Sequence, residues 1–361
     1  MKKMLAITAF ASISSGAALA EEVLHVYNWS DYIAEDTIAL FENATGIKVT
    51  YDVYDSNEIL EAKLLAGNSG YDVVVPTADF MQRQIAAGVY AELDKSKLPN
   101  LKHMDPALMA AAAQFDPDNA HGTIHMWGTT GLGYNIDKVQ ERLGDDAPTD
   151  SWALLFDPAN AEKLQDCGIA LLDAPVEVLP AAMNYLGLNP QSTNKDDLEK
   201  GAELVNTIRP FVRYFHSSQY ISDLANGDIC LTMGWSGDVF QARDRASEAE
   251  NGVEVGYSIP KEGALQWFDM LAIPVDAPNK DAAHKFINFM MDPQITANNT
   301  NYVWYANANL ASFLMVDAEI TGDSGIFPPD EVKARLWSAT VYNKKTDRIM
   351  TRLWTGIKTG Q

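Results

Sequence analysis

Basic side chains are scarce in this sequence. Lys and Arg number 27 against 49 Asp and Glu, a formal net charge of −22 over 361 residues. Binding to a phosphate backbone needs a basic footprint, so nucleic acid is excluded as a partner. An acidic surface instead raises the local concentration of cations, although the same charge also serves ordinary solubility. Cysteine numbers two and histidine six. Neither Cys167 nor Cys230 has a His or Cys at ligand spacing, which argues against a metal. The chain has no nucleophile elbow, no His-x-x-x-His pair and no P-loop, so no motif calls for a cofactor or a catalytic role. Gly131-Leu132-Gly133 lacks a third glycine and a directly following helix, and is not a dinucleotide fingerprint. No apolar run is long enough to span a bilayer, and there is no tandem repeat or low-complexity linker.

The N-terminus has the marks of a secretory signal. Lys2 and Lys3 precede the short apolar run Met4 to Ile13, and Ala18-Leu19-Ala20 offers a small-x-small cleavage site. Cleavage after Ala20 removes two lysines and no acids, leaving 25 basic against 49 acidic residues, or −24. No cysteine near the site argues for a lipid anchor. In an exported chain an even cysteine count favours a disulfide, with two buried free thiols as the alternative. An apolar content of 47 % supports a full core, and a mature chain of this length is expected to form two domains.

From residue 22 the pattern is strand, helix, strand, helix, strand, helix, which predicts a parallel α/β sheet. Asp72 to Val75 reads as a buried strand, and Thr77-Ala78-Asp79 leads into the next helix. Trp127 to Asn135 carries three glycines among β-formers and is expected to cross between domains as a hinge. The second half repeats the α/β plan. Gly168 to Asp173 and Ile229 to Met233 read as strands, and Glu177 sits in a first helical turn. Val253 to Ile259 and Leu265 to Ile273 are expected to return to the first domain, with helices at Pro329 to Ala339 and Thr346 to Ile357 closing the chain.

Three Trp–Asp pairs fall at or near strands: Trp29 and Asp31, Trp235 and Asp238, Trp267 and Asp269. In open α/β sheets ligands sit where strands end and helices begin. Ring faces attract a cation and a carboxylate neutralises it, so the pairs together suit a cationic ligand. Taken singly, each Trp also fits a core and each Asp a helix cap. Ser30 and Tyr32 add hydroxyls beside the first pair, and Thr77 and Asp79 fall at the same sheet edge.

The stretches Tyr27 to Ile33, Arg213 to Tyr220, Leu224 to Cys230, Trp235 to Val239 and Tyr305 to Asn309 carry a resemblance. Over essentially its whole mature length the chain resembles the periplasmic polyamine-binding proteins of ABC importers. The resemblance implies a two-lobed periplasmic binding protein (type II) fold, each lobe a mixed sheet flanked by helices and joined by crossing hinge strands. Lobe 1 is then expected at 21–131 plus about 260–318, and lobe 2 at 132–259 plus about 319–361. The implied ligand is putrescine or spermidine, and the implied partners are membrane permease subunits, with the binding protein itself a periplasmic monomer. The ring pair enclosing the ligand falls on Trp29 and Tyr305, further walls on Trp235 and Trp267, and amine-binding acids on Asp31, Glu177, Asp238 and Asp269. Polar contacts fall on Ser30, Tyr32 and Thr77, and the disulfide on Cys167 and Cys230. Thr77, Asp79 and Trp267 depart from the putrescine-binding members, which carry Ser, Ser and Phe there. A Trp at 267 and a carboxylate at 79 lead to the expectation that spermidine binds at least as tightly as putrescine. A sugar-binding protein of the same fold, and a glycoside hydrolase using two of these acids, are the competing readings.

Overall fold

The computed structural model describes residues 23–360; the expected signal at 1–20 lies outside them. Among the described residues the strands, in chain order, are β1 (Val23–Trp29), β2 (Lys48–Tyr54), β3 (Val73–Val74), β4 (Gly122–Asn135), β5 (Ile169–Leu171), β6 (Val212–Phe215), β7 (Leu231–Trp235), β8 (Val255–Ser258), β9 (Leu265–Ala272) and β10 (Trp337–Ser338). They form one mixed sheet in the order β2-β1-β3-β9-β4-β7-β5-β6, with β8 paired to β4 and β10 to β9.

The first half follows the alternation in its sequence. Leu24 and Val26 of β1 point into the core while their neighbours are partly exposed. β1 pairs parallel with β2 and β3, as the strand–helix alternation predicts. The connecting helices are punctuated as their sequence suggests. Ser56 caps Asn57–Leu65 by accepting from the Ile59 N–H, and Gly46 ends Thr37–Thr45 at φ 73°. That first helix starts three residues later than the apolar pattern from Ala34 suggests. The buried Asn299 side chain accepts from the Ala34 N–H and the Thr37 hydroxyl, holding the intervening residues in a turn.

β4 is the element on which the two halves meet. Gly122 to Thr130 pairs antiparallel with β9, and Thr130 to Asn135 pairs antiparallel with β7 and β8. Thr130 is the changeover, opposite both Leu265 and Trp235. On either side of it lie two separate cores. Leu24, Phe41, Leu60, Met126, Phe268 and Phe286 belong to the first. Trp152, Phe156, Leu179, Tyr220, Met233 and Trp354 belong to the second. The glycines of β4 serve close approach: a Cβ at Gly131 would lie 2.4 Å from the Ser258 carbonyl oxygen.

The C-terminal region differs most from its sequence pattern. Instead of a helix over Pro329 to Ala339 there is a short helix, Asp330–Lys333, and then β10. β10 lies parallel to β9 at Leu265 and Gln266, where that edge would otherwise carry unpaired backbone groups. Ile320 and Ile326 pack in the first core and Tyr342 in the second. The last helix, Lys344–Thr359, buries Met350, Trp354 and Ile357.

Cys167 and Cys230 form a disulfide with Cα atoms 5.5 Å apart, closing a separation of 63 residues inside the second core. Loop closure of that length stabilises a fold by about 4 kcal/mol in the chain-entropy model. The double variant Cys167→Ala, Cys230→Ala is expected to unfold at clearly lower urea. Equal midpoints for variant and parent would contradict this.

Candidate ligand-binding cleft

The cleft between the two cores has about 670 Å³ of empty space. The ends of β1 and β7 and the turns after β3 and β5 open onto it, the usual place for a ligand in an α/β sheet. Among the described residues its lining includes five carboxylates, on Asp55, Asp79, Glu177, Asp238 and Asp269, and no Lys, Arg or His. Rings of Trp29, Tyr32, Phe80, Trp235, Trp267 and Tyr305 line it as well.

Each acid is held differently. Asp269, inside β9, accepts from the Tyr32 hydroxyl and the Thr77 hydroxyl, both at 2.7 Å. Asn57 in turn orients Thr77, donating to its oxygen at 2.8 Å and accepting its N–H at 3.1 Å. Burial pushes the Asp269 carboxyl up to about 7, against the pull of those two hydrogen bonds. Asp238, in the first turn of the helix Ser236–Glu248, accepts from Tyr220 at 2.7 Å and Tyr305 at 2.6 Å. Burial raises it to about 6. Its two carboxylate oxygens each take one of these phenol hydroxyls. The helix begins directly at Ser236, with Trp235 as its N-cap residue.

Glu177 accepts from the Thr130 hydroxyl at 2.5 Å and from the Trp235 indole at 3.1 Å to both oxygens. Burial raises it to about 7. Asp79 lies in the first turn of Ala78–Ala86, 8 % exposed. Burial raises it to about 6, while Arg83 and the N–H groups of Asp79 and Phe80 pull the other way. The N-cap of that helix is Thr77, whose hydroxyl is committed to Asp269 instead.

Asp31 is placed apart from the other acids. Its backbone turns through φ 54°, and its carboxylate pairs with Arg245 at 2.8 Å, outside the cleft lining. Both partners are well exposed, so the pair contributes at most about 1 kcal/mol. Ser30 lines the cleft beside Trp29. Trp29 is fixed by an indole bond to the Val75 carbonyl at 2.9 Å and meets the Trp235 ring edge-on at 5.6 Å. Tyr305 packs edge-to-face against Tyr32 at 5.0 Å and Trp267 at 5.5 Å. The Trp267 indole N–H is buried without a protein partner. Beneath Tyr32, burial holds His125 down to about 4, so it stays neutral at pH 7.

Sequence reasoning missed Thr130, Tyr220, Asn57 and Asp55. Tyr220 lies in a conspicuous aromatic stretch, but Thr130 is an ordinary β-former in a strand and gave no signal. Among the described residues no group of three or more His, Cys, Asp or Glu is placed to hold a metal ion, and no helix is long and apolar enough to cross a membrane.

Comparisons with known proteins agree with this geometry. Residues 36–328 match the profile of the family described as bacterial extracellular solute-binding protein. The chain is 54 % identical over 355 residues to the putrescine-binding periplasmic protein PotF of Escherichia coli (strain K12), covering 98 % of this chain and 96 % of that protein. It is 54 % identical over 361 residues to the putrescine-binding periplasmic protein SpuD of Pseudomonas aeruginosa (strain UCBPP-PA14), covering 100 % and 98 %. A solved structure, a putative spermidine/putrescine ABC transporter from Listeria monocytogenes, superposes with a TM-score of 0.84 at 33 % identity, covering 94 % of this chain and 100 % of that one.

The raised carboxyls fix a sign for stability against pH. Folded Asp269 and Glu177 keep protons up to about pH 7 that an unfolded chain releases near its ordinary carboxyl range. Their stabilisation is complete below that range and is lost as pH rises through about 7. The melting temperature of ligand-free protein is expected to fall between about pH 5 and pH 8. The double variant Asp269→Asn, Glu177→Gln should show a shallower fall over the same interval, and parallel profiles would contradict the assignment.

Proposed function

The chain belongs to the bacterial extracellular solute-binding protein family, and within that family we propose that it captures a polyamine between its lobes and delivers it to an ABC importer. The observation that carries this reading is the cleft with five carboxylates, aromatic walls and no basic side chain. An ammonium taken out of water costs several kcal/mol unless it is paired and hydrogen-bonded. Tyr305 holds Asp238, Tyr32 holds Asp269 and Trp235 holds Glu177, and Asp79 lines the same cleft. A flexible dication has two amines to pair with these acids and methylenes to lie against the rings. Each ring face adds roughly 0.5–2 kcal/mol where it meets a desolvated cation.

The relatives' names point the same way. PotF and SpuD are named as putrescine-binding, and a 33 % identical relative from Salmonella typhimurium as spermidine/putrescine-binding. We take putrescine and spermidine as the ligands, with Asp79 supplying a carboxylate for a third amine and Trp267 a cation-facing indole. Asp238, Asp269 and Glu177 act by recognition, each held by hydroxyl or indole donors, and carry out no catalysis. Export by the N-terminal signal, a periplasmic location, a monomeric state, membrane permease subunits as partners and no role for nucleic acid complete the reading. The lobes close on the ligand about the crossing at Thr130, as binding proteins do by hinge motion.

Titration calorimetry tests it. Purified protein is expected to give saturable heat with putrescine and with spermidine, the latter at least as tightly, and none with an oligosaccharide. Asp238→Asn and Asp269→Asn should each weaken polyamine binding by more than about tenfold while leaving the fold intact, since losing one partner of a buried charge pair costs roughly 3–5 kcal/mol. Heat from the sugar alone, or both variants binding like the parent, would overturn the reading.

A further inference from the structure

We infer that Gly237 is a binding-determining residue, because the absence of a side chain there lets the Tyr305 ring seat on the lobe 2 helix and bring the lobes together. The inference rests on the binding function proposed above. It starts from a contact between two elements of different cores. Gly237 is the second residue of the helix Ser236–Glu248, whose Val239 and Ala242 pack in the second core. Tyr305 follows the helix Pro293–Val303 and packs in the first. A Cβ at position 237 would lie 2.3 Å from Tyr305 Cδ2 and 2.4 Å from its Cε2 and Cγ. All three of its nearest heavy atoms are Tyr305 ring atoms. Real Cβ atoms do not approach carbon so closely, so one partner must move.

The ring has no room to move. Tyr305 is 2 % exposed. Its hydroxyl donates to Asp238 Oδ1 at 2.6 Å and accepts the Asp238 N–H at 3.1 Å. Tyr32 and Trp267 stand edge-on against it. The following backbone is tied to β4, with the Trp127 N–H donating to the Ala306 carbonyl at 2.8 Å and the Trp127 indole to the Asn307 carbonyl at 3.1 Å. The remaining freedom is for the helix to draw back, which separates the lobes and takes Asp238 away from Tyr305.

The backbone at 237 does not itself call for glycine. Gly237 is not among the residues with positive φ, and alanine forms helices better than glycine. A residue unfavourable for its own helix, with no conformational need for glycine, is accounted for by its contact with Tyr305 between the two cores.

The test is Gly237→Ala, read by calorimetry with putrescine, small-angle scattering and thermal melting. The variant is expected to keep a cooperative thermal unfolding transition without ligand. It should bind roughly tenfold or more weakly, since overpacking an interior contact typically costs that much, and its radius of gyration at saturating putrescine should stay above that of the wild type. In a Tyr305→Ala background the same substitution should change affinity by less than about twofold, because the obstructing ring is gone. Binding by Gly237→Ala within about twofold of wild type, loss of the cooperative transition without ligand, or an equal loss in both backgrounds would each overturn the inference. A wild-type protein that takes up no polyamine fails in its own arm of the experiment, and overturns the binding function and this inference together.

Discussion

The cost of keeping carboxylates dry without a cation governs this molecule. Asp79, Asp238 and Asp269 are nearly inaccessible, and the cleft they line with Glu177 holds no basic side chain. Burial raises all four acids; Arg83 and two backbone N–H groups offset part of that cost at Asp79, and neutral side-chain donors offset part of it at Asp238, Asp269 and Glu177. Those donors are threonine, tyrosine and tryptophan side chains, which orient a carboxylate but do not neutralise it. Structural ion pairs elsewhere in the chain show the contrast: Asp166 beside Arg142 sits well down, near 2. The cleft is left short of positive charge where a ligand enters.

The rest of the fold serves to hold those acids in one place from two sides. β4 contributes to both lobes, and its changeover residue, Thr130, donates directly to Glu177. The Trp235 indole, at the end of β7, reaches the same carboxylate. Asp269 is fixed within β9, the neighbour of β4 in lobe 1, by residues from the turns after β1 and β3. Tyr305 of lobe 1 reaches across to Asp238 of lobe 2. Among these bonds Tyr305 to Asp238 joins the two cores and Thr130 to Glu177 starts from the crossing strand, while the bonds to Asp269 and those from Tyr220 and Trp235 stay within one half.

The α/β plan was legible because β1 alternates, β3 is a short apolar run and caps such as Ser56 and Gly46 mark the helices. The C-terminal segment was not, because β10 owes its conformation to an open edge of β9 rather than to its own residues. Two of the three Trp–Asp pairs put their acids into the cleft. Asp31 did not, because a left-handed backbone turn directs it to Arg245, and sequence pattern does not reveal such a turn. The opposite case is Tyr305: Trp304 at φ 60° ends its helix and delivers the next ring into the site. Composition marks that loop only as aromatic, and family resemblance was needed to single out the ring. Thr130 and Gly237 owe their roles to contacts with elements far along the chain, and Tyr220 to one 18 residues away, which no local pattern records.

Proton release on binding tests the central claim most directly. Putrescine is titrated into the protein near pH 6.5 in two buffers of different ionisation enthalpy. If buried acids hold protons until a dication replaces them, the observed heat differs between buffers by an amount corresponding to protons released, and affinity increases as pH rises through about 7. Equal heats in the two buffers with affinity flat across that range would contradict the account.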